Sequence, residues 1–330
     1  MKDIVLDAHF DVLLDVLYYR RLGERKVLER RHLRRLKSSG VNVLVCSLFI
    51  TDDLLPEGAL RNALDQISAF MEELEESGDS FALCRDTKEA RLAVEEGKIA
   101  VFLSLEGAEP IGRDLLLLRT FYDLGVRLLG VTWSRRNYAA DGSSFDPEYA
   151  PKHQGGLTRF GRELVEKAQE LGMVIDVSHI NDEGFYEIAS MVKGPFIASH
   201  SNCRALASSA RNLTDDQIKA IAASGGVIGM NAYSPFSSDC EEERTAEKLM
   251  EHLCHVIKTA GFSHVGLGMD LCDCLYSLRM SHELNDGDLF RDHEDAGERF
   301  LTLIRERFPK EISREILGEN FFKLFERVLG

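Results

Sequence analysis

Short apolar runs alternate with longer amphipathic stretches along the whole 330-residue chain. The runs that we predict as strands cover residues 4–9, 41–50, 99–105, 126–132, 173–179, 195–200, 226–232 and 264–270. Most of them are continuously hydrophobic, as parallel strands buried on both faces are. A strand followed by a helix eight times predicts an α/β fold of the (β/α)8, or TIM-barrel, type, with a doubly wound open sheet as the competing arrangement. We predict one domain over residues 1–330, because such barrels routinely use about 250 residues or more as a single unit.

Composition and charge exclude several classes of protein. The chain has 40 Lys and Arg against 55 Asp and Glu, a net charge of −15, which argues against a nucleic-acid partner. No window approaches 18 uncharged apolar residues, and the first residues lack the pattern of a signal peptide, so we expect no membrane partner. The seven scattered cysteines fit a reduced, cytoplasmic chain.

Imidazole and carboxylate side chains end several of the predicted strands. They are His9, Asp11, Glu106, His179, His200 and Asp270. Because barrel enzymes bind and react at the carboxyl ends of their strands, we expect these side chains to converge there. Three imidazoles and three carboxylates exceed the needs of one zinc ion, so the sequence predicts two divalent metals bridged by a carboxylate. Hydrolysis is the expected reaction, with an aspartate relaying a proton.

Two further features follow from the strand pattern. Gly266 and Gly268 precede Asp270 at alternate positions, and we predict that they leave room inside the barrel below that carboxylate. Two irregular stretches that follow strands, residues 135–156 and 271–290, are predicted to be active-site loops.

The strand-end motifs resemble those of a known family. They are Asp7-Ala8-His9-Phe10-Asp11, Ser104-Leu105-Glu106-Gly107, Ile175-Asp176-Val177-Ser178-His179, Ala198-Ser199-His200-Ser201-Asn202, Arg211-Asn212-Leu213-Thr214-Asp215 and Gly266-Leu267-Gly268-Met269-Asp270. Together they resemble the membrane (renal) dipeptidase family, peptidase family M19, and in particular its soluble bacterial members. The resemblance extends in order along essentially the whole chain.

The resemblance implies a zinc-dependent dipeptidase on a barrel of the metallo-dependent hydrolase type. By the family pattern, His9 and Asp11 hold one Zn²⁺, His179 and His200 hold the other, and Glu106 bridges them. Asp270 is then the proton acceptor or a weak ligand, and Arg211 receives the terminal carboxylate of a dipeptide, including one that ends in a D-residue. Family members are often dimers, so a homodimer is possible on this resemblance.

One position departs from the family pattern. Trp133 stands where animal members carry a histidine that contacts the substrate carbonyl. An indole N–H can donate one hydrogen bond but cannot titrate, and we hypothesise that Arg136 or Asn137 supplies the missing donor.

Two alternatives stay open at this point. One is a related barrel amidohydrolase acting on a lactam, a cyclic amide or an ester. The other is a metal-binding barrel without catalytic activity. The native metal is also open, because imidazole and carboxylate ligands accept manganese, cobalt or iron as well as zinc.

Overall fold

The computed structural model describes residues 2–144, 155–273 and 287–330. Residues 145–154 and 274–286, which belong to the two predicted active-site loops, lie outside the described residues. In chain order the strands are β1 (Leu6–Phe10), β2 (Val43–Leu48), β3 (Phe81–Leu83), β4 (Ile99–Glu106), β5 (Val126–Gly130), β6 (Val174–Asp176), β7 (Ile228–Met230) and β8 (Val265–Leu267).

Helices connect these strands and follow the last one. They are α1 (Val12–Arg21), α2 (Leu33–Ser39), α3 (Ala59–Ser77), α4 (Thr87–Glu95), α5 (Leu115–Asp123), α6 (Arg159–Glu170), α7 (Asp182–Met191), α8 (Asp215–Ala223), α9 (Ala246–Ala260), α10 (His293–Ala296), α11 (Thr302–Arg307), α12 (Lys310–Arg314) and α13 (Asn320–Leu329). Side-chain caps begin several of them; Thr214 and Gln217, for example, form a reciprocal capping box at the start of α8. No helix in the described part of the chain is both long and apolar enough to cross a membrane.

The sheet is parallel throughout and closes on itself. Its strands follow the order β6-β5-β4-β2-β1-β8-β7. Single parallel bridges, from Asp176 to Ile197 and from Ala198 to Ile228, join the two ends of this order. Residues 195–200 therefore fill the eighth position of a closed barrel, and the prediction of a (β/α)8 fold is confirmed.

The segment 195–200 is not the regular strand that the sequence predicts. Ile197 pairs only with β6 and Ala198 only with β7, and the next residue leaves the ladder. The reason is local: the Ser199 backbone N–H is donated to the side-chain Oδ1 of Asp176, at 2.9 Å, rather than to a neighbouring strand. A side-chain acceptor has replaced a backbone acceptor at this point of the barrel.

Strand β3 is absent from the sequence prediction. β3 pairs with the first residues of β4, from Ile99 to Val101, whereas β5 pairs with the second half of β4, from Leu103 onward. β3 therefore pairs with the amino-terminal end of β4 and is not one of the eight strands that close the barrel. A three-residue strand is too short to give an alternating or continuous apolar signal.

The barrel interior changes from apolar to polar along the strands. Phe102 lies in an apolar cluster within the sheet, and its ring meets the ring of Phe325 from α13 edge to face, with centroids 5.2 Å apart. On the same face of β4, four residues further along, stands the buried carboxylate of Glu106. Since α13 packs against the apolar end, the opposite end is the one left to carry chemistry.

Candidate active site

The six strand-end residues predicted to form the site converge around one carboxylate oxygen. Glu106 is the last residue of β4, and its Oε1 lies 3.5 Å from Nε2 of His9, 3.0 Å from Nε2 of His179 and 3.8 Å from Nε2 of His200. All four side chains are at most 5% exposed. Imidazoles from three separate strand ends thus meet at a single buried acid.

The remaining two carboxylates lie on the His9 side of this centre. Nε2 of His9 is 3.7 Å from Oδ1 of Asp11 and 3.6 Å from Oδ1 of Asp270. On the other side, Nε2 of His179 and Nε2 of His200 face each other at 2.8 Å. The structure therefore brings together all six predicted residues, in three overlapping groups with the spacing of metal ligands.

Burial and neighbouring charges shift the pKa values of the three acids. Burial, reinforced by the charge of Asp11, raises the pKa of Glu106 to about 8. Burial also raises the pKa of Asp270 to about 6, against the opposing attraction of His9. Burial also acts to raise the pKa of Asp11, but the neighbouring His9 outweighs burial, and the pKa of Asp11 lies below its ordinary value. Three ionised carboxylates would exceed the charge of one imidazolium, so without a bound cation Glu106 favours its protonated form near pH 7.

The pKa values of the three imidazoles are shifted in different directions. Burial opposes a charge on His9, but the carboxylates of Glu106 and Asp11 outweigh it and raise the pKa of His9 well above its ordinary value. Burial lowers the pKa of His179 and of His200 well below the ordinary value. Both are therefore neutral, the form in which an imidazole binds a metal ion.

These features fit divalent cations. Oε2 of Glu106 is buried and has no hydrogen-bond partner among the described residues. Two neutral imidazoles direct nitrogen atoms at each other, and three carboxylates share one enclosure. A cation bound there would supply each of these groups with a partner and offset the excess charge, and imidazole with carboxylate is a donor set of zinc and related metals.

Contacts behind the ligand set orient the rings of His179 and His200. Nδ1 of His179 lies 2.8 Å from Oγ of Ser134, and Nδ1 of His200 lies 2.7 Å from Oγ of Ser199. The Ser199 hydroxyl is itself donated to the Asp176 carboxylate, so it must accept the N–H of His200 Nδ1. This fixes the tautomer of His200 with the lone pair of Nε2 directed into the site.

Two site residues have unusual backbone geometry. His179 has φ of 69° and Asp270 has φ of 53°, both in the left-handed region that residues with a side chain seldom adopt. The chain turns at these positions, each three residues beyond the end of its strand, and both side chains reach the common centre. Backbone strain of this kind accumulates at functional sites.

The predicted room below Asp270 is not there. A side chain at Gly268 would meet the Ser199 carbonyl oxygen at 1.7 Å, and one at Gly266 would meet the Phe321 ring at 2.5 Å. These glycines therefore allow close packing of backbone and ring against β8, and leave no cavity. The prediction that these two glycines leave free space below Asp270 was therefore wrong.

Arg211 is buried next to His200 of the site. Its Nη1 donates to Oγ of Ser201 at 2.7 Å, and its Nη2 donates to the His200 carbonyl at 2.7 Å. Nε has no hydrogen-bond partner in the described part of the chain. Burial lowers the pKa of Arg211 to about 10, against the attraction of Asp270 and two other acids, so the guanidinium remains charged near neutral pH.

The structure brings Trp133 to the site, whereas Arg136 and Asn137 make contacts elsewhere. The Trp133 ring lies 5.8 Å from the His179 ring. Arg136 instead forms a two-bond ion pair with Asp141, and its side chain is 63% exposed. The Asn137 amide donates to the Val131 carbonyl at 2.8 Å, and its oxygen accepts from backbone N–H groups of the same loop. Donation from Arg136 or Asn137 to a substrate therefore stays a prediction.

Sequence reasoning missed several residues that support the site. Ser47 donates to Asp11 from β2, Ser134 and Ser199 hold the two neutral imidazoles, and Asn231 donates to Asp270 at 2.9 Å. Asn231 follows β7 directly, so a polar residue at a strand end was the signal available for it. Ser134 lies in a loop and gave no comparable signal.

Comparison with known proteins finds one family match over almost the whole chain. The family model described as membrane dipeptidase (peptidase family M19) matches residues 1–328. An uncharacterized dipeptidase of Schizosaccharomyces pombe is 35% identical over 175 residues, which are 53% of this chain and 42% of that protein. The chain thus spans less than half the length of that relative.

Solved structures extend the similarity to the complete fold. Dipeptidase AC, a metallopeptidase of family M19, has a TM-score of 0.87 and 28% identity, with 100% of both chains covered. A metallopeptidase from Rhodobacter sphaeroides, solved with a phosphinate mimic of the dipeptide L-Ala-D-Ala, has a TM-score of 0.86 and 28% identity, with 99% of this chain and 100% of that chain covered. With the family model matching nearly every residue, this chain belongs to the membrane dipeptidase family, peptidase family M19.

Proposed function

We propose that this protein is a metal-dependent dipeptidase, which hydrolyses the single peptide bond of a dipeptide. The observation that carries the proposal is the convergence of three imidazoles and three carboxylates at one buried point, with Oε1 of Glu106 within 3.8 Å of all three Nε2 atoms. Membership of family M19 supports the same activity.

The proposed metal complement is two divalent ions, with Zn²⁺ the first candidate. His9 and Asp11 would hold one ion, His179 and His200 the other, and Glu106 would lie between them. The grouping of ligand atoms and the unpartnered Oε2 of Glu106 support this assignment. When bound, such a pair supplies Lewis-acid polarisation of a carbonyl and lowers the pKa of water.

The chain's own residues would hold and move the proton. Oδ1 of Asp270 faces the centre, 3.6 Å from Nε2 of His9, where it is placed to accept a proton and return it. The proton would be taken up at Oδ1 as water attacks and passed to the leaving amine. The buried walls around Glu106 and His200 exclude bulk water from this exchange.

The substrate is proposed to be a dipeptide with a free carboxylate, including dipeptides of the L-Xaa-D-Xaa type. Arg211 supports carboxylate binding, because its charged guanidinium lies next to His200 of the site with Nε unpartnered among the described residues. The Trp133 ring, beside His179, would form one wall of the site. The Rhodobacter sphaeroides relative, which was solved with the mimic of L-Ala-D-Ala, supports acceptance of a carboxyl-terminal D-residue.

Metal analysis and kinetics on the same preparation test this proposal. We expect two equivalents of metal per chain and turnover of L-Ala-L-Ala and L-Ala-D-Ala, with little turnover of N-acetylated L-Ala-D-Ala. Preference for a lactam, cyclic amide or ester over every dipeptide would favour the amidohydrolase alternative. Two bound ions without turnover of any of these compounds would favour a barrel that binds metal without catalysis.

A further inference from the structure

Asn231, the residue that follows β7, has every polar atom of its amide engaged. Its Nδ2 donates to Oδ2 of Asp270 at 2.9 Å and lies 3.4 Å from the His200 carbonyl oxygen, while its Oδ1 accepts the backbone N–H of Tyr233 at 2.6 Å. The Tyr233 N–H can only donate, and the His200 carbonyl can only accept. The amide therefore has one possible orientation, with its N–H groups toward Asp270.

The backbone on both sides of this contact is fixed. Asn202 accepts the backbone N–H of Asn231 at 3.0 Å and donates to the Asn231 carbonyl at 2.9 Å, so the residue is held from its own main chain. Met269, which precedes Asp270, donates its backbone N–H to the Asp7 carboxylate at 2.8 Å, and its carbonyl accepts the N–H of Ala232. With the main chain anchored at Asn231 and at Met269, the freedom that matters is rotation about the side-chain bonds of Asp270.

We infer that Asn231 is a positioning residue, which fixes that rotation so that Asp270 presents only Oδ1 to the centre. Oδ2 is occupied by the amide N–H, whereas Oδ1 faces Nε2 of His9 at 3.6 Å. A carboxylate held in this way acts through one oxygen and keeps a constant direction for proton acceptance. The inference rests on the proposed dipeptidase function, and it adds a residue that positions the proton acceptor.

The test compares the zinc-loaded 330-residue chain with two variants of it. Asn231→Asp keeps the size of the side chain and the acceptor for Tyr233 but directs an oxygen at Asp270, and Asn231→Ala removes the amide altogether. We expect kcat for L-Ala-D-Ala to fall about 10–100-fold in both, with KM within about twofold of the wild-type value and two zinc ions retained. A merely structural residue would not separate kcat from KM in this way.

Asn320→Ala is the matched control. Asn320 is also a buried asparagine, and its amide donates to two backbone carbonyls, one of them Val265 at the start of β8, the strand that leads to Asp270. We expect this variant to lose thermal stability and to keep the wild-type kcat. A kcat within twofold of wild type in both Asn231 variants, or a loss that only follows zinc loss, would overturn the inference.

Crystal structures of the zinc-loaded wild type and Asn231→Asp variant supply a readout that does not depend on turnover. We expect the Asp270 carboxylate to rotate in the variant, and an unchanged carboxylate would contradict the positioning role. If the wild type hydrolyses no dipeptide, the proposed function fails, and these two structures still decide whether Asn231 orients Asp270.

Discussion

His200 and His179 differ in what holds the second nitrogen of each ring. His179 meets a neutral hydroxyl, that of Ser134, at 2.8 Å. His200 meets the hydroxyl of Ser199, which in turn donates to the Asp176 carboxylate. A carboxylate behind the hydroxyl makes it a better acceptor, so it holds the His200 N–H more firmly and increases the basicity of Nε2.

Replacing Ser199 with alanine should therefore weaken metal binding. We expect Ser199→Ala to lower the affinity for zinc about 10–100-fold, because the ring of His200 loses its acceptor. Competition with a chromophoric chelator measures this affinity directly. Ser313→Ala is the control, since Ser313 is also buried and, among the described residues, its hydroxyl donates to the backbone carbonyls of Ile304 and Phe308 alone. Equal affinities for the two variants would contradict the role of Ser199.

His252 is a buried imidazole outside the candidate metal site. Its Nδ1 accepts the backbone N–H of Cys203 at 3.0 Å, and its Nε2 lies 2.8 Å from the Ser237 carbonyl oxygen, so the neutral ring has a partner at each nitrogen. Burial lowers the pKa of His252 to about 4. The unfolded chain, with an ordinary histidine pKa near 6.5, binds this proton more readily between these two values.

Stability should consequently fall as the pH falls through this window. Above about pH 6.5 the contribution of His252 is fully present, and between pH 7 and pH 5 it should decrease by about 2 kcal/mol. Urea unfolding of the wild type and of His252→Gln at both pH values measures it. Other groups titrate in both proteins, so the quantity of interest is the difference between the two pH dependences. Identical pH dependences would show that His252 is not the group responsible.

At the scale of elements, the packing of β8 against residues 198–200 depends on Gly268. Its neighbour in space is the Ser199 carbonyl, 1.7 Å from where a Cβ would stand, and the Cα of His200 lies 3.1 Å from the same point. Backbone atoms cannot move aside as the end of a flexible side chain can. A glycine at this position is therefore a condition for placing a metal-ligand candidate next to β8.

Gly268→Ala should disturb both the fold and the site. We expect it to destabilise the protein by at least about 2 kcal/mol and to reduce the bound metal, because relief of the overlap displaces His200. Thermal melting and metal analysis measure the two effects. Gly194→Ala is the control, since among the described residues no atom beyond its chain neighbours lies within 4 Å of the position that its methyl group would take, and the φ of Gly194 lies outside the left-handed region. A Gly268→Ala protein with wild-type melting and metal content would contradict this role of Gly268.

The elements also show how much the sequence could predict. The barrel and the six site residues were predictable, because continuous apolar runs mark parallel strands and a polar residue at the end of such a run, such as Glu106, is costly without a partner. Strand β3 could not be predicted, since three residues carry no periodicity. The interruption of the strand at Ser199 could not be predicted either, because it depends on Asp176, which lies 23 residues earlier in the chain and on the neighbouring strand. Partners of this kind are set by tertiary structure.

The apolar cluster that includes α13 and the candidate metal site lie at opposite ends of the barrel. Phe321, Phe325 and their neighbours from α13 close one end with apolar contacts. The other end brings three carboxylates together, and burial with the charge of neighbouring acids raises the pKa values of Glu106 and Asp270. The apolar end must therefore stabilise a polar end that is unfavourable without a counterion, and cations bound there would become part of the energetics of folding.

Removal of the metal should for this reason destabilise the entire protein. An ion present at a thousandfold excess over its dissociation constant stabilises the folded state by about 4 kcal/mol, so chelation should lower the Tm by roughly 5–15 °C. Calorimetry with EDTA, and again after zinc is restored, measures this shift. Glu106→Gln serves as the comparison, because it removes the central charge and should respond less to the chelator. Equal Tm values for the wild type with and without EDTA, in samples shown to have lost their metal, would contradict the coupling between the site and the fold.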